Sequence, residues 1–60
     1  MEVRYSIQAL AGERWMELYA EFDRPKALQQ AAAIVHTYGT VRVVLQVSHH
    51  ETIQTFIDEG

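Results

Sequence analysis

A single stretch of this chain repeats with the period of a helix. Ala27, Leu28, Ala31, Ile34, Val35 and Tyr38 recur at spacings of three and four, which gives one apolar stripe. Lys26, Gln29, Gln30, Ala33 and Thr37 fill the remainder. Asp23 suits the N-cap, Pro25 the first turn, where its missing N–H costs nothing, and Gly39 the C′ position. One helix can cover one face of one sheet. Any sheet built by the rest of the chain therefore keeps a second face with no layer of its own above it.

The flanking segments alternate with period two, the mark of strands. Residues 3–9 set Val3, Tyr5, Ile7 and Ala9 against Arg4, Ser6 and Gln8. Ala11-Gly12-Glu13 supplies a turn, with Gly12 free to take positive φ. The next stretch, 14–22, sets Met16, Leu18, Ala20 and Phe22 against Trp15, Glu17, Tyr19 and Glu21. Residues 40–48 alternate Val41, Val43, Leu45 and Val47 with Arg42, Val44, Gln46 and Ser48. His49-His50-Glu51 reads as a turn, and 52–58 as a last strand with Ile53 and Ile57 opposite Gln54, Phe56 and Asp58.

The expected fold is α+β: ββαββ, one helix packed on one face of a three- to four-stranded antiparallel sheet. A helical crossover makes the third strand parallel to the second, so it belongs beside the first, giving the order 2-1-3-4. The small Ala27, Ala31 and Ala32 would let the helix sit close. Beneath it the pattern places Val3, Tyr5, Ile7, Met16, Leu18, Ala20, Phe22, Val41, Val43, Leu45, Ile53 and Ile57.

Sixty residues make one domain, 1–60, with Met1 read as a natural start. There is no cysteine, so neither a disulfide nor a thiolate zinc site can staple it. A 48% apolar composition must instead supply a core or an oligomer interface. No signal-peptide pattern and no run of about 18 apolar residues occurs. The expectation is a cytoplasmic protein with no membrane association. At a net charge of −3, with its five basic residues scattered, the chain is poorly suited to nucleic acid.

Catalytic chemistry finds little foothold. Ser6 and Ser48 stand in strand patterns without a Gly-rich elbow. His49, His50 and Glu51 are adjacent, and neighbouring strand residues point to opposite sides, so they do not converge on a metal. Neither enzyme activity nor a cofactor is expected.

The face left bare by the helix holds the candidate partner-binding residues: Trp15, Glu17, Tyr19 and Glu21, with Arg4, Gln8, Arg42 and Phe56. Clustered exposed aromatics beside arginine mark interfaces; alternatively Trp15 and Tyr19 form cross-strand pairs on a solvated sheet. The expected function is a non-enzymatic protein–protein interaction module. Its partner is a larger protein or a second copy in a homodimer pairing open sheet faces. A single-stranded nucleic-acid platform using Trp15, Tyr19 and Phe56 ranks third, because Glu17 and Glu21 repel phosphate. In length, charge and ββαβ-like order the chain resembles the small acidic, cysteine-free proteins of phages and mobile elements, anti-CRISPR proteins among them. That resemblance implies a stoichiometric inhibitor of a host nucleic-acid-handling complex, and no site residue carries over from it.

Overall fold

The computed structural model describes residues 3–59, so Met1, read as the start, lies outside them. Its elements are β1 (Arg4–Ala11), β2 (Arg14–Glu21), α1 (Arg24–Tyr38), β3 (Thr40–Gln46) and β4 (His50–Ile57). The four strands form one antiparallel sheet in the order β2-β1-β3-β4, with α1 on one face. The expected ββαββ arrangement and strand order are therefore what the chain adopts.

Local chemistry explains most boundaries. Gly12 at φ 66° precedes Glu13, whose φ is negative, and this pattern fits a type II′ turn that matches the twist of β1 and β2. Asp23 is extended at the N-cap, but its side chain makes no capping bond; its carbonyl accepts from the Ala27 N–H at 3.0 Å instead. Gly39, at φ 87°, donates to the Val35 carbonyl at 2.7 Å and ends the helix. The last hairpin turns at 47–49 rather than at His49-His50-Glu51, because His50 already pairs with Gln46. Likewise β2 stops at Glu21, and Phe22 belongs to the link into the helix.

The core is a thin layer between helix and sheet. Ile7, Ala9, Val41 and Val43 meet Ala27, Ala31 and Val35, with Tyr5, Leu18, Leu28, Ile34, Ile53 and Phe56 packed around them. Ala27 and Ala31 are fully buried, so the helix approaches the sheet closely. It lies over β1 and β3 and reaches the edge strands least.

Both edge strands carry a bulge. In β2, Glu17 lies opposite Gln8 and Tyr19 opposite Ile7, leaving Leu18 unopposed. In β4, Thr52 lies opposite Val44 and Gln54 opposite Val43, leaving Ile53 unopposed. Each extra residue packs onto the core. Beyond each bulge the alternation changes phase.

Directly opposed antiparallel residues share a face, so the register corrects several sequence-based placements. Tyr19 and Glu21 oppose Ile7 and Tyr5, and so stand on the helix side rather than the open face. Phe56 opposes Val41 and packs on the core. Gln54, opposite Val43, moves to the helix side as well, while Ala20, opposite Ser6, moves to the open face. Ile57 opposes Thr40 on the open side and is exposed. Val3, Met16 and Phe22, expected beneath the helix, are also exposed.

Candidate partner-binding surfaces

The sheet face turned away from α1 brings Arg4, Ser6, Gln8, Arg42 and Gln46 of the two central strands beside Trp15 and Glu17 of β2. These side chains form a continuous lattice. Arg4 grips Glu17 with both ends of its fork, Nη1 to Oε1 at 2.7 Å and Nη2 to Oε2 at 2.9 Å. Nη1 also donates to Gln46 Oε1. Ser6 Oγ donates to Glu17 Oε1 at 2.6 Å and accepts from Gln8 Nε2 at 3.0 Å. Gln8 Oε1 in turn accepts from Arg42 Nε at 2.8 Å, and the Arg42 guanidinium stacks over Trp15, 4.1 Å from the ring centroid.

This lattice supplies the missing cover. Ser6 is fully buried, and Val44, beside it on the same face, is nearly so, although no second layer lies above them. Every buried side-chain polar atom among the described residues has a partner. Five of the sequence-predicted binding residues, Arg4, Gln8, Trp15, Glu17 and Arg42, are thus assembled into one unit. Tyr19, Glu21 and Phe56 lie on the other side of the sheet.

The Arg4 and Ser6 hydrogen bonds hold the Glu17 carboxyl down at about 2, below its ordinary 4.5, and Glu17 raises Arg4 in return. A depressed carboxyl favours the folded state above pH 4.5, and that contribution is lost as pH falls toward 2. The pair is exposed enough for solvent to screen it, so the effect on stability is modest. Thermal unfolding of the wild type should show this acid limb between those two pH values, and Glu17→Gln should flatten it. A limb of equal depth in both proteins would place its origin in other carboxylates.

The helix side of β2 is different in kind. Arg14, Met16, Tyr19 and Glu21 form a row in register with Ala11, Ala9, Ile7 and Tyr5, and Phe22 follows the strand. Met16 is 54%, Tyr19 43% and Phe22 67% exposed. The reason is width. A helix is about 10 Å across, whereas four strands spaced about 4.8 Å apart span roughly 14 Å between outer axes. One helix over β1 and β3 leaves the edges bare. Counting strands against helices in the sequence would have exposed Met16 and Phe22 as uncovered.

Elsewhere, His36 Nδ1 lies 3.2 Å from Asp58 Oδ1 and links the helix end to the segment after β4. Among the described residues there is no pocket, and no group of His, Cys, Asp or Glu side chains gathers at metal-binding range. No helix there is long and apolar enough to cross a membrane. No protein-family model, curated protein or solved structure matches the chain.

Proposed function

We propose that this chain is a non-enzymatic protein–protein interaction module whose docking element is strand β2. The observation that carries this reading is the exposed pair Met16 and Tyr19 on the helix side of an edge strand, with Phe22 exposed just past the strand's end. A small domain has few large apolar side chains, and several left in water along and just beyond one edge strand mark a surface that another protein covers. The open-face lattice has no such deficit, since its polar groups already satisfy one another. Its place in the reading is to stiffen β2 against β1 through Arg4, Ser6 and Glu17, so that the row is presented by a fixed strand.

A stacking platform for single-stranded nucleic acid has less support. Tyr19 and Phe56 stand on the helix side, and Arg42 already occupies a face of the Trp15 ring. The inhibitor form of the reading, in which an acidic chain masks a basic host surface, draws on the chain's small size, its net charge of −3 and its order of elements.

Site-specific photo-crosslinking in the native host tests the docking surface. A benzophenone side chain at position 16, 19 or 22 should give discrete adducts, whereas the same group at Ala33, exposed on the helix, should give none. Absence of adducts from all three β2-side positions, or an identical pattern from Ala33, would remove β2 from the function.

A further inference from the structure

We infer that β2 pairs antiparallel with β2 of a second copy of this chain, about a two-fold axis at Glu17, joining two four-stranded sheets edge to edge. The inference rests on β2 being the docking element.

β2 is an outer strand of the sheet; of the devices that blunt an edge it has a bulge and the helix-side charge of Glu21, but neither lysine nor proline. Its side chains are complementary to themselves. With the bulged Leu18 set aside, the strand reads Arg14, Trp15, Met16, Glu17, Tyr19, Ala20, Glu21, with Glu17 at the centre. A two-fold axis there sets Arg14 against Glu21 of the second copy, Met16 against Tyr19, and Trp15 against Ala20. Each contact occurs twice, as an isologous interface requires. The pairs are an ion pair, a thioether on an aromatic ring, and a large ring over a small side chain.

The bulge makes this register possible. Arg14, Met16, Tyr19 and Glu21 all share the helix side, and Trp15 and Ala20 share the open side. In an unbroken strand the residues of each pair would point to opposite faces. At the axis the two Glu17 side chains come together, but each is already gripped by its own Arg4 and Ser6. The like charges are therefore offset within each copy.

The other outer strand fails the same test. Without its bulged Ile53, β4 reads His50, Glu51, Thr52, Gln54, Thr55, Phe56, Ile57. A two-fold axis at Gln54 would oppose Glu51 to Phe56 and His50 to Ile57, with no opposite charges meeting. Self-complementarity belongs to β2 alone of the two edges.

An interface of one strand per copy is small, and a bulge at its centre costs ladder hydrogen bonds. The dimer should therefore be concentration-dependent, with a dissociation constant on the order of 10–100 μM. Sedimentation equilibrium of the full chain up to about 1 mM provides the test. Wild type should dimerise. Arg14→Glu and Glu21→Arg should each weaken the dimer roughly ten-fold or more by setting like charges opposite. Mixing the two variants in equal amounts should restore a heterodimer, because both charge pairs are then reunited. A strict monomer at that concentration overturns the inference, as does a dimer indifferent to both swaps or a mixture that fails to recover.

The crosslinking adducts separate this inference from the reading beneath it. An adduct with the mass of two copies supports both. An adduct with a different protein, alongside a monomer in sedimentation, overturns the self-pairing and leaves β2 as a docking strand. Failure to crosslink anything at 16, 19 and 22, together with a monomer in sedimentation, removes both.

Discussion

Ile7→Ala is expected to leave a large fraction of the chain unfolded at 25 °C. Ile7 is fully buried on a central strand, opposite Tyr19 on one side and Val43 on the other, in the layer closed by Ala27, Ala31 and Val35. Truncating such a side chain removes its transfer free energy and leaves a cavity, at a cost of about 2–5 kcal/mol. The neighbours have little freedom to collapse into the gap, because two of the three helix residues above are alanines already in close contact. A single core in a chain of this size supplies only about 3–5 kcal/mol in total. The two quantities are comparable, so the substitution consumes most of the margin. Urea titrations followed by circular dichroism would measure it, with Thr55→Ser on the exposed part of β4 expected within about 0.5 kcal/mol of wild type. A loss below about 1 kcal/mol at Ile7 would show that stability resides elsewhere, with the dimer interface the first place to look.

The elements that govern this fold were legible because local chemistry and tertiary structure agree. Ala27, Ala31 and Val35 keep helical spacing and are the buried helix residues, Gly39 ends the helix, and Gly12 turns the first hairpin. The strand order followed from one crossover and the preference for antiparallel neighbours. The lattice was half legible. Arg4, Gln8, Trp15, Glu17 and Arg42 were assigned to one face correctly, because all of them lie where the simple alternation still holds.

The faces of Tyr19, Glu21 and Phe56 were not legible. Each lies beyond a bulge, and neither bulge has a local signal: Leu18 and Ile53 sit in unbroken alternation, with no glycine or asparagine nearby in the strand. What selects the bulges is tertiary. α1 lies over the central strands, and an aliphatic side chain from each edge reaches inward to the core at one place, Leu18 on β2 and Ile53 on β4. The strand gains that contact at the cost of one unopposed residue, and every side chain after it changes face.

A bulge selected by the helix makes deletion of Leu18 unlike an ordinary deletion from a strand. Removing a residue from a strand interior ordinarily sends one half of the strand to the wrong face. Here Leu18 has no partner on β1, so the shortened strand should keep Glu17 opposite Gln8 and Tyr19 opposite Ile7. The Arg4–Glu17 grip and the Arg42–Trp15 stack should persist. The cost is the lost core contact of a half-buried leucine, about 2–3 kcal/mol, the lower part of the range for leucine truncation. Leu18→Ala gives up the same contact but retains the bulge, so the two variants should agree in stability within about 1 kcal/mol. Deletion of Met16 is the contrasting case, because it has a partner in Ala9. That change would swing Arg14 and Trp15 to opposite faces and take Trp15 off Arg42. Cross-strand NOEs between Ile7 and Tyr19, and between Gln8 and Glu17, read the register directly, and thermal unfolding reads the cost. If the Leu18 deletion instead loses those NOEs, or falls more than about 2 kcal/mol below Leu18→Ala, the bulge is needed for the bend it gives β2 and not only for the side chain it delivers. In the self-paired dimer, the deletion would also straighten the strand at the two-fold axis and restore ladder bonds there. Association should then tighten even as each protomer loses stability, a divergence that a purely structural role for Leu18 would not produce.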